Sequence, residues 1–246
     1  MKVFVVIPAA GLGTRMSAPP GGLKSKSKQF FELQGTPILI HTLRKFDECT
    51  RVHEIVVALR RNETAGFESL ISREHFRKPI RVVEGGEHRQ DSVANALRSL
   101  KASDDDIVLV HDAVRPFVDQ ETILSVIEGV EKYGAAIAGV PAIDTVKQVD
   151  RTADGAVVVA TVPREKMVLA QTPQGFHFAL IRNAFDQALA DGFVGTDEAS
   201  LIERSGDPVH VVMGSARNIK ITTPADLDLA ELYISQDDRR KVGLSG

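Results

Sequence analysis

Val3-Phe4-Val5-Val6-Ile7 runs directly into Pro8-Ala9-Ala10-Gly11-Leu12-Gly13-Thr14-Arg15-Met16. The first stretch is unbroken, apolar and largely β-branched, the composition of a strand buried on both faces. Pro8 ends it, because proline has no N–H for the ladder. The small residues that follow leave the backbone bare. At the carboxyl end of a central strand, such a loop lets main-chain N–H groups approach a polyphosphate. Arg15 adds a guanidinium fork suited to phosphate oxygens. Lys28 follows a Gly/Pro/Ser/Lys segment, and the whole reads as a triphosphate cradle. Neither common glycine fingerprint fits. Gly11-x-Gly13 meets Met16 where GxGxxG needs its third glycine, and no Gly-Lys-Ser/Thr opens a helix here. An ordinary glycine turn after a strand has the same spacing.

Working outward, apolar strands alternate with helical stripes. Pro37 starts a helix marked by Ile38, Leu39, Thr42, Leu43 and Phe46, and Ile55–Leu59 is the second strand. A helical segment, Glu63–Phe76, leads to the strand Ile80–Val83. Glu87, Arg89 and Ser92 follow the Gly85-Gly86 turn, and Ser92 can cap its helix or bind a ligand. Ile107–Val110 is a buried strand terminated by His111-Asp112-Ala113-Val114-Arg115-Pro116. After a further helix, Ala135–Val140 is the fifth strand. This alternation predicts an α/β fold with a Rossmann-like, doubly wound, mainly parallel sheet. Ligands in such sheets sit beyond the carboxyl ends of the strands, so the clusters after strands one, three and four converge on one crevice.

The pattern changes beyond Pro141. Thr145–Val149 and Val157–Thr161 read as strands joined through Asp154-Gly155, a hairpin signal. Its Val-rich faces lack a covering helix, which points to a protruding arm, about 144–173, packed on a partner; a flap folded on its own domain is the other reading. The α/β pattern then resumes with a helix on Phe178, Ile181, Ala184, Phe185 and Ala188, and a strand at Val209–Met213. Thr196-Asp197-Glu198 and Thr223-Pro224-Ala225-Asp226 read as helix starts. Ser235–Gly246 reads as a frayed tail.

The 246 residues, 43% hydrophobic and 26% charged, are ordinary for a globular chain. A net charge of −3 does not suggest nucleic-acid binding. Cys49 is the only cysteine, which excludes an internal disulfide and a cysteine-based zinc site. No apolar run approaches the roughly 20 residues of a membrane span, and Met1-Lys2 leads into a strand and not a signal-peptide core. A cytoplasmic location, with no membrane partner, is expected. No Ser-His-Asp order, HExxH or Cys/His ligand set is present. The expected chemistry is phosphate-centred, with cations stabilising charge. Asp112, Arg115 and Arg164 each have a bland alternative as a turn residue, an ion-pair partner or a solvated charge, whereas Lys220, a lysine among apolar extended residues at the crevice edge, is less often incidental.

The ordered set Val6–Met16, Lys28-Gln29, Val110–Pro116, Gln171-Thr172-Pro173-Gln174, Thr196–Ser200 and Asn218-Ile219-Lys220-Ile221-Thr222 resembles the 2-C-methyl-D-erythritol 4-phosphate cytidylyltransferases of the non-mevalonate isoprenoid pathway. The resemblance covers essentially the whole chain. It implies one nucleotidyltransferase domain, 1–246, in which the polyol phosphate attacks the α-phosphorus of CTP and pyrophosphate leaves. Mg²⁺ is implied, bound mainly through the CTP phosphates and without a dedicated protein metal site. The resemblance implies catalytic roles for Arg15, Lys28, Arg164 and Lys220. It implies nucleotide contacts at Pro8, Ala9, Ala10, Gly11, Gly13, Gly86, Glu87 and Ser92. Substrate contacts fall on Asp112, Arg115, Thr145, Thr172, Thr196 and Thr222. The arm carrying Thr145 and Arg164 reaches the neighbouring subunit's site in this family, which implies a homodimer. One departure is the spacer Ser17–Ser27, longer than is typical, which leaves Lys26 as an alternative to Lys28. A ribitol 5-phosphate cytidylyltransferase shares the loop and arm, and a nucleotide-binding regulatory module is the alternative without turnover.

Overall fold

The computed structural model describes residues 1–11 and 27–243, with side chains described to Arg239. Gly13, Arg15, Lys26 and nearly all of the Ser17–Ser27 spacer lie outside the described residues. In chain order the elements are β1 (Val3–Pro8), β2 (Glu32–Leu33), β3 (Thr36–Pro37), α1 (Ile38–Asp47), β4 (Glu54–Leu59), α2 (Arg61–Ile71), β5 (Ile80–Glu84), α3 (Arg89–Ser99) and β6 (Ile107–Val110). There follow α4 (Gln120–Tyr133), β7 (Ala135–Pro141), β8 (Val146–Thr152), β9 (Gly155–Val162), β10 (Val168–His177), α5 (Phe178–Ala190), α6 (Glu198–Arg204), β11 (His210–Met213) and α7 (Pro224–Gly243).

Seven strands form the main sheet in the order β11-β7-β10-β6-β1-β4-β5. β1 lies between β4 and β6, parallel to both, and β5 and β11 extend the parallel pairing at the two edges. Alternation along β1 explains why its sequence is apolar throughout. Val3, Val5 and Ile7 pack with side chains of α1, α2 and α4, whereas Phe4 and Val6 pack with those of α3, α5 and α6. Helices cover both faces, as the doubly wound reading requires.

β10 is the strand the sequence pattern conceals. It runs antiparallel between β6 and β7, in the interior of the sheet, so the sheet is mixed, though mostly parallel. Pro173 and Gly175 within it argue against a central strand. The register shift between Ala170 and Gln174 resolves the conflict, because Pro173 falls where the pairing with β7 is interrupted. Gly175 is needed there: an added Cβ would lie 2.8 Å from both Val126 and Val130 of α4.

β8 and β9 form a separate antiparallel hairpin with Val149, Val157, Val158 and Val159 exposed. The expected frayed tail is corrected by α7, which continues through Ser235 to Gly243. The ion pair between Arg217 and Asp237 (2.9 Å) and the edge-on packing of Tyr233 against Phe117 hold that end down. No helix among the described residues is long and apolar enough to cross a membrane.

Candidate active site

The loops leaving β1, β5 and β6 converge on one pocket. Pro8, Ala9, Ala10, Gly11, Lys28, Arg89, Ser92, Asp112 and Lys220 contribute to its lining. A larger cleft of about 480 Å³ lies between α1 and α7. It contains none of these strand-end groups, so size does not identify the site.

The bare loop is fixed through its carbonyls. Gln29 donates to the Ala9 carbonyl at 2.5 Å, and Arg60 Nε donates to that of Ala10 at 2.8 Å. Lys28 opens a short 3₁₀ turn immediately before Gln29. Gly85 lets β5 end against this loop, since a Cβ there would come within 2.4 Å of the Ala10 Cβ. Ser92 is not the helix cap. His88 occupies that position, with its N–H donating to Asp91 (3.0 Å), while Ser92 Oγ accepts from the Gly86 N–H at 3.1 Å. Gly86 and Ser92 are thereby joined, and Glu87 lies on the exposed turn between β5 and α3.

Asp112 is the electrostatic centre. Its Oδ2 lies 3.0 Å from Lys220 Nζ and 3.2 Å from Arg115 Nε, and its Oδ1 lies 3.4 Å from Arg89 Nε. Burial opposes the charge on Asp112, but Arg89, Lys220 and Arg115 together outweigh it and hold the carboxyl well below the usual range. Burial likewise works against the charge on Arg89, and Glu198 and Asp112 overcome it, raising the guanidinium above its ordinary value. Arg89 Nη1 meets Glu198 Oε1 at 2.6 Å.

A second layer orients Asp112. The Thr172 hydroxyl accepts from the Asp112 N–H at 3.1 Å and lies 3.0 Å from His111 Nδ1. His111 Nε2 lies 3.1 Å from the Arg115 carbonyl. All three contacts are satisfied when His111 is neutral, with Nε2–H donating to the carbonyl and Nδ1 accepting from Thr172. Burial favours that form and pushes the imidazole down to about 4. Arg115 Nη1 donates to the Asn218 carbonyl at 2.7 Å, and the Asn218 amide donates to the Thr172 carbonyl at 2.8 Å. The backbone carrying Lys220 is thus tied to β10, and Ile221 N–H adds a bond to the Val114 carbonyl.

Other expected residues occupy different positions. Thr172 is buried behind Asp112. Thr222 Oγ1 donates to Asp226 at 2.9 Å, at the start of α7. Thr196 is exposed beside Asp197, the N-cap of α6, which accepts from the Ser200 N–H at 3.0 Å. Thr145 immediately precedes β8 and Arg164 follows β9, neither contributing to the pocket lining, and Arg164 Nη1 donates to the Ile143 carbonyl at 2.8 Å. The sequence places Arg89 after the Gly85-Gly86 turn and Glu198 in the Thr196–Ser200 motif but gives neither a site role. The available signal was Arg89 in the first turn of a helix, where the macrodipole disfavours a cation.

The pocket offers bare backbone, a buried carboxylate and converging cations. That set can bind a polyphosphate and hold a second anion beside it. Asp112 is already committed to three cations. A divalent metal here would take most of its oxygen ligands from phosphate and water, as magnesium commonly does.

The family model described as 2-C-methyl-D-erythritol 4-phosphate cytidylyltransferase matches residues 3–236. A protein of that name from Acidobacterium capsulatum is 54% identical over 240 residues, covering 98% of this chain and 100% of the relative. The crystal structure of the Francisella tularensis 2-C-methyl-D-erythritol 4-phosphate cytidylyltransferase matches with TM-score 0.78 and 37% identity, covering 94% of this chain and 99% of that one. That of 4-diphosphocytidyl-2C-methyl-D-erythritol synthase from Anaerococcus prevotii matches with TM-score 0.81 and 29% identity, covering 95% and 96%.

Proposed function

The chain belongs to the 2-C-methyl-D-erythritol 4-phosphate cytidylyltransferase family, and on that premise we propose that it joins CTP to 2-C-methyl-D-erythritol 4-phosphate in isoprenoid precursor synthesis. A phosphate oxygen of the acceptor attacks the α-phosphorus. The new P–O bond forms as the bond to the bridging α–β oxygen breaks, and pyrophosphate leaves with that electron pair. The products are CDP-methylerythritol and pyrophosphate. An ionised phosphate needs no general base, so the protein's task is positioning and charge stabilisation.

The carrying observation is the convergence of Pro8–Gly11, Lys28, Ser92, Asp112 and Lys220 on one pocket at the carboxyl ends of β1, β5 and β6. In this reading the loop Pro8–Gly11, with Gly13 and Arg15, cradles the triphosphate. Arg15 and Lys28 stabilise charge developing on the phosphates. Gly86, Glu87 and Ser92 take the cytidine side. Asp112, Arg115, Thr172, Thr196, Lys220 and Thr222 form and support the acceptor side. Mg²⁺ would ride on the triphosphate, where it neutralises charge on the leaving group.

We assign the hairpin to dimerisation. A two-stranded hairpin is marginal in water by itself, and its exposed valines favour burial against a second copy. Thr145 and Arg164 would then serve the partner's acceptor site. One nucleotidyltransferase domain spanning 1–246 and a cytoplasmic location complete the proposal.

Pyrophosphate release tests it, with purified protein, CTP, Mg²⁺ and either methylerythritol phosphate or ribitol 5-phosphate. Turnover with the first acceptor is expected, with CTP preferred over ATP. Preference for ribitol 5-phosphate, equal kcat/KM for the two nucleotides, or nucleotide binding without turnover would overturn the assignment.

A further inference from the structure

We propose that Arg89 is a positioning residue for the acceptor side of the pocket, acting through Asp112 and set in place by Glu198. The proposal rests on the cytidylyl-transfer reading above. Arg89 is the first residue of α3, where the helix dipole disfavours a cation. Two carboxylates from distant parts of the chain hold it there. Glu198 is only 2% exposed, and its Oε2 is buried without a hydrogen-bond partner among the described residues. Its charge is therefore answered chiefly through Oε1 and Arg89.

Oδ1 of Asp112 faces Arg89, while Oδ2 receives Lys220 and Arg115. With Arg89 removed, the carboxylate can turn both oxygens toward Lys220 and Arg115 and draw their heads away from an incoming phosphate. Three cations meet two carboxylates directly in this group, and Asp197 acts on Arg89 as a further negative charge. The same end of α3 also fastens the segment bearing Thr196. Gln90 donates to the Phe193 carbonyl (3.0 Å) and accepts from the Gly195 N–H (2.9 Å). From the opposite side, Gln174 donates to Asp197 (2.8 Å) and accepts from the Ala199 N–H (3.0 Å). The first turns of α3 and α6 thus form a single mount, with the Arg89–Glu198 pair as its ionic link.

The test compares Arg89→Gln, Arg89→Lys, Glu198→Gln and the double variant Arg89→Gln/Glu198→Gln in the full chain. Arg89→Gln should lower kcat/KM for methylerythritol phosphate at least tenfold, mainly through KM, while the calorimetric Kd for CTP·Mg²⁺ stays within twofold. Arg89→Lys should recover part of the loss. Glu198→Gln should reproduce a smaller loss, and the double variant should match Arg89→Gln. Carbon-13 NMR of the ligand-free protein gives a readout besides turnover: Arg89→Gln should move the Asp112 titration up toward the ordinary carboxylate range. Parental kinetics in Arg89→Gln, additive losses in the double variant, or CTP affinity falling in step with Tm would overturn the positioning role. Should Arg89→Gln fail to fold, Arg89→Lys and Glu198→Gln carry the same comparisons. An inactive parent protein would refute the transfer reading, whereas an unmoved Asp112 titration would refute this one.

Discussion

Gly85→Ala tests the contact on which the cradle geometry depends. The added methyl would stand 2.4 Å from the Ala10 Cβ, 3.0 Å from Ser92 Oγ and 3.4 Å from the Leu59 carbonyl. Ordinary contact begins near 3.4 Å, so Ala10 must retreat by about 1 Å, within the range where misplacement costs roughly 100-fold in rate. Ala10 cannot retreat freely, because its carbonyl is held by Arg60 at 2.8 Å. Overpacking of this kind costs about 1–3 kcal/mol, which for a chain of this size lowers Tm by roughly 2–12 °C. The expected result is a kcat/KM for CTP reduced by about two orders of magnitude, with that drop in melting temperature. Gly66→Ala is the control. It lies on the exposed face of α2 with nothing within 4 Å of the added methyl, and should raise stability by about 0.5–1 kcal/mol. Differential scanning calorimetry and steady-state kinetics on both variants decide the matter. Parental melting and parental use of CTP in Gly85→Ala would mean that β5 does not end against the Pro8–Gly11 loop.

Arg15→Ala should lower turnover at least tenfold, about 1.4 kcal/mol of transition-state stabilisation, and near-parental turnover in a folded variant rejects its role. Arg164→Ala and Lys28→Ala subunits, each nearly inactive, should regain activity when mixed under exchange conditions, since a heterodimer can place both defects in one site. No recovery in heterodimers verified by native mass spectrometry would remove Arg164 from the partner's site. Burial lowers His111 from 6.5 to about 4, so the unfolded chain takes up its proton first as the medium is acidified. This contribution to stability is full above pH 6.5 and is lost as pH falls toward 4, by about 3 kcal/mol. Urea unfolding of the parent and His111→Asn across that window should show a flatter profile in the variant; identical slopes would contradict the buried neutral imidazole.

The sequence by itself determined what local chemistry can determine. The apolar run Val3–Ile7, ended by Pro8, specified a strand buried on both faces, and helical stripes between further apolar runs specified a doubly wound sheet. Asp197 and Asp226 marked helix starts because capping is decided within a few residues. Asp154-Gly155 marked the β8–β9 hairpin for the same reason, since the turn lies between its own strands. Tertiary structure alone decided the central position of β10, because a register shift accommodates Pro173 only in the presence of β7 and β6. It also decided the Arg89–Asp112–Glu198 linkage, which joins a helix start, a strand end and a second helix start. Arg89 and Glu198 are 109 residues apart, and periodicity carries no information about which distant charges will meet. That pairing follows from the winding of the chain, which brings the first turns of α3 and α6 to the carboxyl end of β6, where three cations converge on the buried Asp112 carboxylate.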